Sequence, residues 1–477
     1  MDILKTIMTV LATVVTVVSA GHALLSKRDP KAAIGWIVVC FLIPFGGPLL
    51  YYLFGINRVR TRARKLQRRS ESLHAVEAKS MRKRKAGPFA DAGSQSEHPE
   101  LVNISDRVTD RPLVGGNLIE VLHNGEQAYP AMLSAIDHAR KTVFLATYIF
   151  ETNDTGRSFI NALDRATRRG VDVRVIVDGF SDMLHLPRAS RLLKKRGITF
   201  AKFLPPQLIP PSVTINLRNH RKILVADGVI AFTGGMNIGD SYLAEQHENS
   251  KRVVDFHFRL KGPVVKQIEE VFIEDWGFLT GVYGGSAPGE AARQGPAACR
   301  VITEGPNEDL DKLVMILTGA VSAARTSVII MTPYFLPPRG LLAALQAAAL
   351  RGLQITIILP AKNDSLLAHW ATRNLLWEVL ERGVRVYYQP PPFVHSKLVI
   401  IDNHYLHIGS ANIDPRSLRL NFELAVEIFD RPLAQTLTAH VESAIQRSQP
   451  VTLQELDSRS LPVRVRDSLA WLLSPYL

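Results

Sequence analysis

Two long apolar stretches open the chain. Ile3 to Leu25 is apolar apart from Lys5, His22 and scattered threonines and serines, and Ile34 to Phe54 is apolar throughout. Each is long enough to cross about 30 Å of hydrocarbon as a helix. A polar turn, Ser26 to Lys31, joins them. The pattern therefore predicts a two-helix transmembrane hairpin over residues 1–57. Pro44 and Gly46-Gly47 are tolerated in membrane helices. Trp36, Tyr51 and Tyr52 sit near the ends of the second stretch, where interfacial aromatics belong. A signal peptide cleaved after Val18-Ser19-Ala20 is the competing reading. The first run is long for one, and a second follows at once.

Beyond residue 110 the pattern changes to helices alternating with short β-branched runs. Leu133–Arg140 reads as helix, Thr142–Phe150 as strand, Ser158–Arg169 as helix ending at Gly170, and Val171–Val177 as strand. The same order recurs in Leu313–Arg325, Ser327–Tyr334, Leu341–Arg351 with Gly352, and Leu353–Leu359. Glycine after each helix is a C-cap signal. Two copies of a helix-and-buried-strand unit predict an α/β/α sandwich body with pseudo-two-fold symmetry and a shared cleft.

Charge places the remaining boundaries. The net charge is +13, and ten of those units lie in residues 58–85. Residues 86–477 are nearly neutral, which argues against a body that binds nucleic acid. Residues 58–110 read as a basic juxtamembrane segment with a linker at 86–100, 111–290 as the first half and 291–477 as the second. Arg58, Arg60, Arg62, Arg64, Lys65, Arg68 and Arg69 outnumber the three basic residues of the turn. The positive-inside rule then puts the body in the cytoplasm of a multi-pass membrane protein. The basic run also suits anionic lipid headgroups. Two cysteines, Cys40 and Cys299, exclude a disulfide framework and a cysteine-built metal site.

Each copy carries one further pattern. His220, Lys222, Asp227, Gly234 and Asn237 recur as His395, Lys397, Asp402, Gly409 and Asn412, with identical offsets from the histidine. Histidine and lysine two apart on a strand share a face. The glycine is expected at the turn that returns the next strand with its asparagine. Histidine offers a nucleophile or an acid near neutral pH. Lysine and asparagine suit non-bridging phosphate oxygens. Two such sets around one phosphorus predict phosphodiester transfer through a phosphohistidine, with lysines in the charge-neutralising role that metals fill elsewhere.

These paired His-x-Lys-x4-Asp motifs resemble those of the phospholipase D superfamily. Arg28-Asp29-Pro30 with Trp36, Pro44 and Gly55, the run Thr332-Pro333-Tyr334-Phe335, and Asn412 to Ser417 with Leu420 to Glu423 resemble bacterial cardiolipin synthases. The resemblance implies that one histidine attacks phosphatidylglycerol and the other serves as acid and then base, with His220 the choice for nucleophile and His395 for acid/base. It implies no cofactor and no metal. Lys222, Lys397, Asn237 and Asn412 would hold phosphate. Glu423 would orient a histidine; its first-half counterpart is Asp255, with Glu248 the alternative. Asp227 and Asp402, though within the catalytic motifs, are expected to brace loops. Pro-rich loops before each motif, Pro205 to Pro211 and Pro390 to Pro392, are either rigid connections or an apolar rim that excludes water. Ser468–Leu477 either docks on the body or dips into a surface. Competing readings are a phospholipase D, a phosphatidylserine synthase or an endonuclease on the same scaffold, and a non-catalytic membrane scaffold. Which acceptor attacks the intermediate, and the oligomeric state, are not in the sequence.

Overall fold

The computed structural model describes residues 2–27, 30–56, 98–208, 211–212, 217–245, 251–285, 292–306 and 309–476. The basic run 58–85, the linker up to residue 97 and Glu248 lie outside them. The chain forms two compact units, Met1–Leu73 and His74–Leu477.

In the first unit, α1 (Asp2–Ser26) is long and apolar enough to cross a membrane. The second apolar stretch differs from expectation, because it is not one helix. Helix α2 (Pro30–Leu42) stops, and α3 (Gly46–Leu50) runs into a wider helical turn at Tyr51–Gly55. Pro44 lacks the N–H that would continue the helix. Phe45 takes a positive φ of 61°. Gly47 then passes so close to the Val39 carbonyl that a Cβ would collide with it. The chain folds back. The Tyr51 ring lies 5.4 Å from Trp36, whereas 15 residues of continuous helix would separate them by about 22 Å. Tyr51 Oη is 2.6 Å from His22 Nδ1, and Lys27 Nζ donates to the Gly55 carbonyl at 2.6 Å.

The second unit is built on one fifteen-stranded sheet. The first half supplies β1 (Val114–His123), β2 (Thr142–Thr147), β3 (Asp172–Asp178), β4 (Thr199–Phe203), β5 (Ile223–Ala226), β6 (Ile230–Gly234) and β7 (Phe256–Lys261). The second supplies β8 (Ala297–Glu304), β9 (Ser327–Met331), β10 (Gln354–Pro360), β11 (Arg385–Gln389), β12 (Leu398–Ile401), β13 (Tyr405–Gly409) and β14 (Glu423–Phe429), with β15 (Gln449–Pro450) at one edge. The order is β15-β11-β10-β9-β12-β13-β14-β8-β1-β7-β6-β5-β2-β3-β4. Read outward from the β8–β1 junction, the two directions give the same succession, which is the pseudo-two-fold. Strands β2, β3 and β4 are parallel, and β2, β5, β6 and β7 pair antiparallel.

Both faces are covered. Val143 and Leu145 of β2 pack among Met132, Ile136, Phe159 and Leu163 of the helices Asn124–His138 and Asp154–Arg168. Phe144 points the other way and stacks on Phe272 of the helix Val264–Thr280, at 4.9 Å and 2°. The C-terminal helix Leu461–Leu472 docks Ala470 and Trp471 against Leu336, Trp370 and Ala371.

The turn between the paired motif strands departs from expectation. It is made by Asp227-Gly228 and by Asp402-Asn403, all with positive φ between 50° and 67°, as a type I′ turn requires, and is closed by Val229 N–H to Ala226 O at 3.0 Å and His404 N–H to Ile401 O at 3.1 Å. Gly234 and Gly409 instead end the returning strands, at φ 150° and 151°, where a Cβ would strike a carbonyl of the neighbouring strand. The Asp227 carboxylate accepts the N–H groups of Arg140, Lys141 and Thr142 at 2.7–2.9 Å. Asp402 accepts those of Arg325, Thr326 and Ser327 at 2.8–2.9 Å. Each ties its hairpin to the start of the adjacent strand. Burial alone would raise the Asp402 pKa, but the backbone donors outweigh it and lower it. Its stabilisation is therefore present above the unfolded carboxyl value of about 4 and is lost as pH falls through the lower folded one. Asp402→Ala should destabilise the fold by about 2–4 kcal/mol, as expected for loss of charge-assisted bonds, with activity per folded molecule little changed. Denaturant titration at pH 7 beside a turnover assay checks both.

Candidate active site

The two histidines are placed by the opposite halves. The segment before His220 runs beside Arg218-to-Phe422 pairings: Phe422 N donates to Arg218 O, and His220 N to Phe422 O, both at 2.9 Å. Phe393-Val394 pairs in parallel with Val253-Val254, and His395 N donates to Val254 O at 2.8 Å. Each histidine thus lies across from the residue that precedes the other half's carboxylate. The side chains pair accordingly. His220 Nδ1 lies 3.4 Å from Glu423 Oε1 and 3.3 Å from Asn421 Nδ2. His395 Nδ1 lies 2.9 Å from Asp255 Oδ2. A carboxylate at Nδ1 favours the N–H there and leaves the lone pair on Nε2. Of the two first-half candidates, Asp255 is at the site; Glu248 is among the residues not described.

Lys222 and Lys397 follow two residues on and are buried. Their ammonium groups donate to His220 O at 2.6 Å and His395 O at 2.5 Å. Tyr148 covers this corner, its ring 4.2 Å from that of His220 and 5.8 Å from Lys222 Nζ.

The asparagines are not equivalent. The Asn237 amide donates to Tyr242 Oη at 3.0 Å, and its oxygen accepts Ile149 N–H at 3.2 Å. One amide hydrogen remains. Asn412 is buried with its Oδ1 unpaired, and its side chain bonds Asp414.

The carboxylates are also held differently. A Cβ on Gly235 would strike the Asp255 carboxyl. At the matching position Ser410 donates to Glu423 Oε2 at 2.5 Å. Burial pushes Asp255 up to about 7, with Lys397 offsetting part of it. Burial would raise Glu423 too, but His220, Lys222 and Ser410 more than reverse it, so it stays below the usual value. Desolvation lowers His220, with Glu423 opposing, and lowers His395 further, with both lysines adding to the effect. Burial lowers Lys222 to about 8 and Lys397 to about 7.

The structure therefore gathers His220, Lys222, His395, Lys397, Asp255 and Glu423 in one place. It sets Asp227 and Asp402 at the far ends of their strands. Sequence reasoning passed over Tyr148, Asn421, Ser410 and Arg221. Arg221 is the residue between His220 and Lys222. It is buried, donates to Glu423 O at 3.1 Å and pairs with Asp275 at 2.6 Å. The equivalent position in the other copy is Ser396, and an arginine where the repeat has a serine was the available signal.

The family model described as cardiolipin synthase, phospholipase D-like domain, matches residues 132–276 and again 317–445. A phospholipase D-nuclease N-terminal model matches residues 10–55. The major cardiolipin synthase ClsA of Bacillus subtilis is 30% identical over 464 residues, covering 94% of this chain and 95% of that one. Cardiolipin synthase A of Pseudomonas putida is 28% identical over 461 residues, covering 97% and 96%. The crystal structure of phosphatidylserine synthase from Haemophilus influenzae superposes with a TM-score of 0.61 at 17% identity, over 79% of this chain and all of that one, a likeness of fold. With both motif-bearing halves matched and the alignment running nearly end to end, the chain belongs to the cardiolipin synthase family with phospholipase D-like domains.

Proposed function

We propose that this phosphatidyltransferase joins two phosphatidylglycerol molecules into cardiolipin and glycerol, and that His220 and His395 divide the chemistry. His220 Nε2 attacks the phosphorus. The bond from phosphorus to the departing glycerol oxygen breaks, and His395 protonates that oxygen. A hydroxyl of a second phosphatidylglycerol then gives its proton to His395 and attacks, and the phosphorus–nitrogen bond breaks. One phosphodiester replaces another, so no nucleotide is required. Lys222 and Lys397, with the free amide hydrogen of Asn237 and the amide of Asn412, hold the phosphate oxygens. Asp227 and Asp402 act only through the strands they brace.

The observation that carries this reading is the crossed pairing of each histidine with the other half's carboxylate. It supports the division of roles as well. Glu423, kept ionised, favours positive charge on the ring of His220 as the phosphohistidine forms. Asp255, raised by burial to about 7, shares its proton with His395 Nδ1 near neutral pH, and in that protonated pair the hydrogen on His395 Nε2 is the one to give. The Pro-rich loop before His395 borders the site and suits exclusion of water, which would turn transfer into hydrolysis. The apolar α1 and the basic run 58–85 support a body at the cytoplasmic face of a bacterial cell membrane, with that run against anionic headgroups.

Purified protein in detergent, given phosphatidylglycerol alone with EDTA and no nucleotide, should yield cardiolipin and glycerol in equal amounts by mass spectrometry. Phosphatidic acid as the main product would make water the acceptor and replace the reading with a phospholipase.

A further inference from the structure

The fold-back in the first unit carries a consequence for how the chain meets the bilayer. Helix α2 is 13 residues long, about 20 Å, well short of the ~30 Å hydrocarbon core. The return leg brings Gly55 to Lys27 Nζ, back to where α2 set out. The outward surface of this hairpin is apolar: Ile34, Phe41, Leu42, Ile43 and Leu49 are exposed, and Phe45 at the tip is 39% exposed. The inner faces are matched to α1, with Ala20 and Ala23 against Cys40 and Tyr51. Such a surface suits lipid chains, and its polar entrance and exit suit one interface.

We propose that residues 30–56 form a re-entrant hairpin that enters and leaves the membrane on the same side, so that the chain crosses once, through α1. The charge distribution agrees. In a two-span hairpin the turn with Lys27, Arg28 and Lys31 would face the side opposite the basic run that begins at Arg58. With a re-entrant segment both basic clusters lie on the cytoplasmic side, as the positive-inside rule requires. The amino terminus then lies on the opposite side. This rests on the reading that α1 spans the membrane.

The test is labelling of Asp2→Cys and Ser26→Cys by a bulky, membrane-impermeant maleimide, in right-side-out and inverted vesicles, with cardiolipin formation measured to establish folding. The unaltered chain, whose Cys40 and Cys299 are buried, sets the background. Asp2→Cys should label only from outside and Ser26→Cys only in inverted vesicles, each at least tenfold over the other orientation. Ser26→Cys labelling from outside with Asp2→Cys inside would establish two full spans and overturn the proposal. Both labelling from one side would instead show that α1 does not cross. Protease removal of an N-terminal epitope from right-side-out vesicles gives the same answer without a cysteine.

Discussion

His395→Ala should abolish cardiolipin formation from phosphatidylglycerol yet still release about one p-nitrophenol per active site from a phosphatidyl p-nitrophenyl ester. A glycerol alkoxide is a poor leaving group and must be protonated as it departs; p-nitrophenolate leaves without help. Loss of general acid catalysis costs about 10²–10⁴-fold with the natural substrate, and the demand disappears with the activated one. The same variant lacks the base for the second step, so the burst should be followed by turnover at least about a hundredfold slower than wild type. His220→Ala should give neither burst nor turnover, because no phosphohistidine forms. Stopped-flow absorbance separates the two variants within one experiment. A burst in His220→Ala and none in His395→Ala would exchange the two roles. Near-wild-type turnover of phosphatidylglycerol by either variant would end the shared-site mechanism.

Much of this site was legible because duplication writes each position twice. Matched offsets from His220 and His395 singled out two lysines and two asparagines before any geometry was known. The strands were legible for a related reason: Val171–Val177 and Leu353–Leu359 place aliphatic, mostly β-branched residues at every second position, and their later residues, Val175 to Val177 and Ile355 to Leu359, are buried without a break. What the sequence hides is pairing across the duplication. Asp255 lies 35 residues after His220 and Glu423 lies 28 after His395, and neither serves the histidine of its own half. Nothing local announces that Val253-Val254 will pair with Phe393-Val394. Composition also concealed the break in the second apolar stretch. Length and hydropathy count Ile34–Phe54 as a span, but Pro44, Phe45 at positive φ and Gly47 set its direction. Hydropathy has no term for a reversal whose two legs are equally apolar. The glycines at 234 and 409 show a third limit. Glycine is demanded at a turn and equally at a close approach to a neighbouring carbonyl, and the sequence alone does not distinguish them.

The pH dependence of kcat/KM for phosphatidylglycerol should be bell-shaped with an unusually low basic limb. On the acid side His220 must be neutral to attack. Burial holds it below its ordinary value, so that limb should lie below pH 6.5. On the basic side the free enzyme loses its phosphate-binding cations early, because Lys397 sits near 7 and Lys222 near 8. The Asp255–His395 proton is lost over the same range, with Asp255 near 7. Activity should therefore fall roughly tenfold or more per unit once two of these groups titrate together. The substrate phosphodiester stays anionic throughout and contributes no limb. Once bound beside the lysines, it favours their charged forms, so the basic limb of kcat should lie above that of kcat/KM. Lys397→Arg supplies a guanidinium that does not titrate below pH 12. It should move the basic limb of kcat/KM upward even if its maximum falls. Asp255→Asn removes the carboxyl that shares the His395 proton and should change the limb's steepness. Should Lys397→Arg leave the limb in place while Asp255→Asn moves it, the limb belongs to the acid pair. A kcat/KM flat from pH 6 to 9 would mean that the lysines stay charged despite their burial, and that Glu423 and Asp255 neutralise them more strongly than the geometry implies.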